Sequence, residues 1–334
     1  MERPIKDICE AALSAKPLVS FCVKCYNQRQ YIEAALDGAF AQTYRPLEIV
    51  ISDDCSTDGS DGLISKKIED YKCGGGDLQI VFNRNRENLG NIGNWIVFGE
   101  LAHGELLIKA DGDDVSLPNR TEKIVEAWVS GGKTAHVIDH VAADMDIKGR
   151  LTGRTRSILG AAQAYSRDCW DKFSTHGKFP SREWVGDDTI FSIRAHALAG
   201  AEKYQLVMDD VLVKYRCGSG ASTNKRRYRD MVYAYTKECI LYGLQDVELN
   251  KELLDIDNVK ATRAWCLARA KDAALARQLA VGKSFKERVG AAMSLRKNCR
   301  STTLRDTLYQ ILLALPPLMS DPLLNFYLKH VRRM

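Results

Sequence analysis

The sequence lacks the features of a secreted or membrane-spanning chain. No stretch reaches the roughly 18 consecutive apolar residues that a transmembrane helix needs. Residues 1–16 do not combine a basic start with a long apolar core, as a secretory signal would. These absences predict a cytoplasmic protein.

The sequence also lacks clustered cysteines and glycine-rich nucleotide loops. Ten cysteines are scattered, and the one close pair, Cys22 and Cys25, has no second pair to complete a zinc site. No Gly-x-Gly-x-x-Gly follows the first apolar run, and no Gly-x-x-x-x-Gly-Lys occurs. We therefore expect free thiols, and neither a dinucleotide dehydrogenase nor a P-loop enzyme.

The chain does have alternating strand and helix patterns over about its first 200 residues. Apolar runs of strand length occupy residues 18–23, 47–51, 78–82 and 105–110, and the segments between them have helical spacing. Among 334 residues, 45% are hydrophobic and 27% charged, as in ordinary globular proteins. The alternation predicts an α/β fold whose parallel sheet is covered by helices on both faces.

Further elements are expected beyond the fourth strand. An amphipathic helix is predicted over 118–130, a strand over 134–141 and a last strand over 207–215. The polar stretch 144–156 favours either a hairpin or a flexible loop. Another helix is predicted to begin at Asp187.

Polar clusters follow four of the predicted strands. They contain Tyr26–Asn27, Asp53–Asp54, residues 84–88 and residues 111–114. In open α/β sheets, ligands bind outside the carboxyl ends of the strands. The four segments are therefore expected to converge on one cleft.

The last cluster places three carboxylates, Asp111, Asp113 and Asp114, directly after an apolar strand. Acids this close repel one another, and each is costly to bury unpaired. We expect them at a water-filled edge that faces a divalent metal. An acidic turn formed for backbone reasons alone is the alternative.

Four segments resemble, in order and spacing, the successive signatures of family 2 glycosyltransferases, which are inverting enzymes of the GT-A fold. They are residues 19–27, 52–60, 87–90 and 111–118, and the resemblance covers roughly the first 220 residues. It implies a Rossmann-like, mostly parallel sheet with helices on both faces. A catalytic domain over 1–223 and a helical C-terminal region over 224–334 are expected.

The resemblance also implies a nucleotide-sugar donor, most often a UDP-sugar, held together with Mg²⁺ or Mn²⁺. The metal ligand implied is Asp113, with Asp111 nearer the ribose and Asp114 supporting them. The Asp53–Asp54 pair would accept the uracil ring N–H, and Arg84 or Arg86 would neutralise phosphate. The donor-binding positions are Tyr26, Asn27, Asp53, Asp54, Arg84, Asn88, Gly90, Asp111 and Gly112.

Asp187 and Asp188 match the acidic pair that supplies the catalytic base in the family. The usual pair is Glu-Asp, so the first acid here is one methylene shorter, and Asp188 matches the second. Capping of the following helix is the other interpretation, with Asp187 the better candidate for it. The family often carries a histidine shortly after the arginine of a Tyr-Arg segment, and Cys217 follows Arg216 here.

The function implied is transfer of a sugar to a saccharide acceptor in the synthesis of bacterial O-antigen, capsule or exopolysaccharide. If the protein binds the membrane, the acceptor is expected to be lipid-linked. Two alternatives stay open. A pyrophosphorylase-like, nucleotide-sugar-modifying enzyme would begin with a glycine-rich loop, which residues 24–28 do not form. A non-catalytic GT-A-like binding protein would be expected to lose its acids, yet Asp113 and Asp188 are present.

Residues 282–334 carry ten Lys or Arg and three acids, beside an apolar segment over 308–319 that Pro316 and Pro317 interrupt. A basic, apolar-faced helical tail predicts peripheral binding at the inner face of the cytoplasmic membrane. A helical cap packed on the catalytic domain is the alternative. No nucleic-acid-binding motif accompanies the charge.

Overall fold

The computed structural model describes residues 16–156, 160–173, 182, 184, 186–219, 225–281 and 290, without the side chains of 225–234, 272 and 274–281. The strands are β1 (Val19–Cys25), β2 (Leu47–Asp53), β3 (Gln79–Arg84), β4 (Leu106–Asp111), β5 (Val115–Ser116), β6 (Val137–Met145), β7 (Leu151–Arg156), β8 (Gln163–Ser166) and β9 (Gln205–Arg216). The α-helices are α1 (Ile32–Phe40), α2 (Ser60–Cys73), α3 (Gly90–Leu101), α4 (Arg120–Ser130), α5 (Asp168–Asp171), α6 (Asp187–Ala199), α7 (Lys225–Leu249) and α8 (Ile256–Val281).

The strands form one mixed sheet in the order β3-β2-β1-β4-β8-β6-β9-β5, with β7 paired to β6. The pairs β1–β2, β1–β4, β2–β3 and β6–β9 are parallel, whereas β5, β7 and β8 run antiparallel to their neighbours. The α/β fold predicted from sequence is confirmed, and its sheet is mixed, with four parallel and four antiparallel strand pairs. Residues 144–156 form a hairpin, because β7 folds back on β6 around Gly149, whose φ is 82°.

Helices cover both faces of the sheet. On one face, α1, α2 and α4 pack through Ile32, Leu36, Ile64, Ile124 and Trp128. On the other, α3 and α6 pack through residues that include Trp95, Phe98, Ile190 and Phe191. All seven residues of β2 are buried, including the polar Glu48, Ser52 and Asp53.

The helices α7 and α8 pack on α6. Ile193 of α6, Val247 of α7 and Val259 of α8 belong to the same buried cluster. Arg194 of α6 and Asp246 of α7 form an ion pair at 2.8 Å whose side chains are almost fully buried. Through these side chains, α7 and α8 share a core with α6.

The basic tail from Gly282 onward, apart from Gly290, lies outside the described residues. The membrane interpretation of that tail therefore stays a prediction. Among the helices that the structure does describe, none is both long and apolar enough to cross a lipid bilayer.

Candidate active site

The carboxyl ends of β1, β2 and β4 meet the N-terminal ends of α3 and α6 at one edge of the sheet. Registers between the strands bring Lys24 opposite Asp111, and Cys25 opposite Asp53. Asn91 in the first turn of α3 donates to Asp187 in the first turn of α6 at 2.8 Å. The ends of these five elements therefore surround one place, in agreement with the convergence that the strand-terminal polar clusters predict.

The Asp53 carboxylate is completely buried and lies within its own loop. It accepts hydrogen bonds from the backbone N–H and the hydroxyl of Ser56. Arg84 lies over it, with Nε 3.6 Å from the carboxylate and Nη2 donating to the Ser56 carbonyl. A nucleobase can reach Asp53 only if these neighbours give way.

Asp54 organises the loop that precedes α3. Its carboxylate accepts from the side chain of Asn85 and from the backbone N–H groups of Leu89 and Gly90. Gly90 has a φ of 79°, and a Cβ there would lie 2.3 Å from the Cα of Arg182, so a side chain does not fit. The Asn88 side chain also accepts from the Gly90 N–H.

Tyr26 and Asn27 form the loop after β1. Tyr26 is 48% exposed, whereas the Asn27 side chain accepts from the backbone N–H of Thr57 at 2.9 Å. Asn27 adopts a φ of 52°, in the left-handed region that Asn tolerates. This tie joins the loops after β1 and β2. Arg86 is exposed, and Arg84 also pairs with Asp61 at 3.1 Å.

The acidic turn is more buried than the sequence predicts. Asp111 is partly exposed, but Asp113 is 9% and Asp114 4% exposed, so the expectation of a water-filled edge is wrong for these two. The reason is that β5 pairs with the end of β9 and brings Arg216 across the turn. Gly112 has no room for a Cβ, which would lie 2.5 Å from the Gln28 amide oxygen.

Arg216 fixes the conformation of this turn. Its backbone N–H donates to the Asp114 carboxylate at 2.7 Å, and its side-chain Nε donates to the Asp113 carbonyl at 2.8 Å. The guanidinium lies over the Tyr31 ring and also donates to the carbonyls of Asp146 and Ile147. The acidic turn is therefore held by the last strand and by the β6–β7 hairpin.

The carboxylates of this turn suit a hard divalent cation. Burial, and then the charge of Asp111, raise the pKa of Asp113. Ser219 is the only side chain among the described residues that donates to Asp113. Among the described residues, none donates a hydrogen bond to the buried Oδ2 atom of Asp114. Carboxylate oxygens whose charge is poorly compensated are the donors that Mg²⁺ and Mn²⁺ prefer.

Within the described ranges, no group of three or more His, Cys, Asp or Glu side chains is arranged to hold a metal by itself. Asp111 also lies 3.1 Å from the ammonium group of Lys24.

Asp187 is held on all sides by its own chain. Its Oδ1 accepts from the Asn91 amide, and its Oδ2 contacts the ammonium group of Lys109 and lies 3.7 Å from that of Lys24. Burial opposes its ionisation, but the two lysines outweigh burial and lower the pKa of Asp187. Asp187 is thus an anchored carboxylate.

Asp188 has a different environment. It is partly buried and accepts the backbone N–H of Thr189 at 3.0 Å. Burial and the adjacent Asp187 charge raise the pKa of Asp188. The pKa of Asp187 is therefore lowered and the pKa of Asp188 is raised. This difference is expected where one carboxylate is structural and the other accepts a proton.

Sequence reasoning missed Lys24, Asn91 and Lys109. The signal was present, because Lys109 interrupts the apolar run of β4 and a buried lysine needs a partner. Sequence does not reveal that this partner is Asp187, which lies 78 positions away.

A sequence model of the family described as Glycosyl transferase family 2 matches residues 20–185. An uncharacterized glycosyltransferase of Haemophilus influenzae is 34% identical over 154 residues, covering 46% of this chain and 43% of the relative. Abequosyltransferase RfbV of Salmonella typhimurium is 29% identical over 132 residues, covering 39% and 38%. The chain thus spans about two fifths of the length of these curated relatives.

Two solved structures have a similar fold. S. aureus TarS, in complex with UDP-GlcNAc, aligns with a TM-score of 0.56 and 15% identity over 84% of this chain and 81% of that one. Mannosyltransferase PcManGT from Pyrobaculum calidifontis, in complex with GDP-Man and Mn²⁺, aligns with a TM-score of 0.53 and 18% identity over 92% and 89%. At these identities the likeness concerns the fold, which is GT-A-like.

Proposed function

The chain belongs to glycosyl transferase family 2 through residues 20–185, and we propose that it is an inverting glycosyltransferase with a nucleotide-sugar donor. The observation that carries this proposal is the placing of two unlike acid groups at one edge of the sheet. Asp111 ends β4 and Asp113 lies in the turn that follows, whereas Asp187 and Asp188 begin α6. The ammonium group of Lys24 contacts an acid of each group.

Inverting transfer requires a base for the acceptor hydroxyl, and we assign this role to Asp188. The hydroxyl oxygen attacks the anomeric carbon, its proton passes to Asp188, and the bond to the nucleoside diphosphate breaks with the electron pair on the leaving group. A raised pKa brings a carboxylate closer to the operating pH and makes it a better base. Asp187 is excluded as the base because its oxygens are already occupied by Asn91 and the two lysines.

We assign the divalent metal, Mg²⁺ or Mn²⁺, to Asp113 with Asp111. When bound there, the cation would stabilise the negative charge that develops on the leaving diphosphate. Arg216 holds the peptide of Asp113 in place, and Gly112 keeps the backbone close to Lys24 and Gln28.

The donor is proposed to be a UDP-sugar. TarS is described with UDP-GlcNAc and PcManGT with GDP-Man, so the nucleotide needs a direct test. The proposed donor site comprises the loops held by Asn27, Asp53, Asp54 and Asn88. Arg84, 43% exposed at its side chain, is the proposed partner of phosphate or base.

We propose a saccharide acceptor in the synthesis of a bacterial surface polysaccharide. Relatives named for teichuronic acid biosynthesis in Bacillus subtilis and for succinoglycan biosynthesis in Rhizobium meliloti support this class. We also propose that residues 282–334, which carry the basic excess, bind the inner face of the cytoplasmic membrane. A lipid-linked saccharide at that surface would be the acceptor. The catalytic domain is proposed to occupy 1–223, and the helical region 224–334.

Turnover of a panel of nucleotide sugars, with and without Mn²⁺, tests the function. Release of a nucleoside diphosphate and formation of a glycoside of inverted anomeric configuration, both dependent on the metal, are expected. Release of a sugar phosphate and a nucleoside triphosphate when pyrophosphate is added to the nucleotide sugar, with no glycoside product, would instead indicate a pyrophosphorylase. Binding of the donor without any turnover would favour a binding protein.

A further inference from the structure

Two lysines lie on one buried face of the sheet, beneath the N-terminal ends of α3 and α6. Lys24 extends from β1, and Lys109 from the neighbouring strand β4. The Lys109 side chain is only 3% exposed, and that of its partner Asp187 is 6% exposed. Burying an ammonium group is costly unless it is paired, so this arrangement needs the opposite charge at the start of α6.

Lys109 lies against the first turn of α6. It pairs directly with Asp187. It also lies beside Gly160, where an added Cβ would be 3.4 Å from Lys109 Nζ and 3.8 Å from the Cβ of Asp188. Lys24 differs from Lys109, because its ammonium group is shared between Asp187 and Asp111 and so is tied to the proposed metal site.

We propose that Lys109 is a positioning residue for the proton-accepting carboxylate. Its buried ion pair with Asp187 fixes the first turn of α6, so that the adjacent Asp188 is held toward the acceptor. This inference rests on the proposed transferase function. Asp187 then serves as the anchor of the pair, and Asp188 as the residue that reacts.

Charged and titratable groups from five elements surround Asp188: Asp187 on α6, Lys109 on β4, Lys24 on β1, Tyr165 on β8 and Cys239 on α7. The positive charge of Lys109 favours the ionised form of Asp188, and the negative charge of Asp187 disfavours it. Loss of Lys109 alone therefore raises the pKa of Asp188. Loss of the Asp187 charge as well moves this pKa back down.

The test compares the full-length wild type, Lys109→Met and the double variant Lys109→Met/Asp187→Asn. The matched control is Lys133→Met, which removes a lysine paired at 2.8 Å with Glu105 on the surface. We measure kcat, the donor KM and the pH dependence of kcat/KM with the donor that the wild type turns over. Circular dichroism and thermal unfolding check the fold of each variant.

For Lys109→Met, kcat should fall about 10- to 100-fold, since a misplacement of about 1 Å costs up to ~10²-fold. The donor KM should stay within about twofold, and the acidic limb of the pH profile should move up by about one unit, the scale for loss of a nearby opposite charge. The double variant should return the limb toward the wild-type position while kcat stays low, because the anchor is gone. Lys133→Met should match the wild type.

The proposal would be overturned if folded Lys109→Met had the kcat of the wild type and the same acidic limb in its pH profile. If Lys109→Met does not fold, the double variant carries the test, because both buried charges are removed together. Wild-type kcat in that variant would show that the anchor is unnecessary. Absence of transfer by the wild type itself would instead remove the proposed function, and this inference with it.

Discussion

The backbone N–H of Arg216 donates to the Asp114 carboxylate at 2.7 Å, although 102 positions separate the two residues. The same residue donates through its side chain to the carbonyl of Asp113. The end of the last strand therefore sets the shape of the acidic turn. A site that looks local in the sequence is in fact built from two distant segments.

Arg216→Lys should weaken the packing of the acidic turn. A single ammonium group cannot donate to all the carbonyls that the planar guanidinium reaches. We expect a loss of about 1–3 kcal/mol in the free energy of unfolding, the usual range for buried groups left without partners. Affinity for Mn²⁺ in the presence of nucleotide should also fall. Urea unfolding and calorimetry measure the two effects.

The matched control is Arg150→Lys on the same hairpin, where the arginine is 75% exposed and pairs with Asp146. A surface change of this kind should cost less than about 0.5 kcal/mol. Equal effects of the two variants would contradict a special role for Arg216.

Asp113→Asn should abolish the dependence of transfer on the metal while the protein still folds. Burial raises the pKa of Asp113, so the folded state disfavours its charge. The stability that this group contributes is full below about pH 4 and decreases as the pH rises through the folded pKa. The metal-free Asn variant should therefore be at least as stable as the wild type at neutral pH.

Thermal unfolding of Asp113→Asn with Mn²⁺ and UDP checks this prediction. The wild type should unfold at a higher temperature when both are added, and the variant should not. Transfer should fall by orders of magnitude. Asp77→Asn, at an exposed pair with Arg45, is the control. An unchanged Mn²⁺ response in Asp113→Asn would place the metal elsewhere.

Asp187→Asn should destabilise the protein at neutral pH, because it leaves two buried lysines short of a carboxylate. Removing one partner of a buried pair costs about 3–5 kcal/mol. The lysines lower the pKa of Asp187, so its contribution is present above about pH 4 and is lost as the pH falls toward the folded pKa. The difference in free energy of unfolding from the wild type should be full at pH 7 and narrow only below about pH 4. Equal stability at pH 7 would contradict the anchored role of Asp187.

The basic tail should bind anionic membranes. Each basic residue near such a surface contributes about 1 kcal/mol, and salt screens the attraction. The full chain should sediment with anionic liposomes at low salt and be released at high salt. A chain that stays in the supernatant at low salt, and that unfolds when truncated at Gly282, would show that the tail is a structural cap.

The sequence predicted that the strand-terminal polar clusters would meet at one edge of the sheet, because the carboxyl ends of parallel strands lie at the same edge. It did not predict how each acid is used. Asp53, Asp54 and Asp113 look alike in the sequence. In the structure, Asp53 bonds within its own loop, Asp54 bonds to the loop before α3, and Asp113 is held by Arg216 and Ser219. Such differences depend on long-range contacts, which local patterns do not encode.

The short strand β8 illustrates the same limit in the fold. Its four residues carry too little periodicity to distinguish strand from turn, and its place in the sheet depends on pairing with β4 and β6, which are distant in the sequence. Lys24 of β1 and Lys109 of β4 can be recognised in the sequence as charged residues next to apolar runs. The sequence does not show that Asp187 is their common partner.

Asp188→Asn tests the central claim most directly. Transfer is measured at saturating donor, acceptor and Mn²⁺, beside Asp187→Asn and the wild type, with donor binding measured separately. General-base catalysis contributes roughly 10²–10⁴-fold, so Asp188→Asn should lower the rate by that factor while donor affinity stays near that of the wild type. An active Asp188→Asn beside an inactive, folded Asp187→Asn would reverse the two roles and contradict the account.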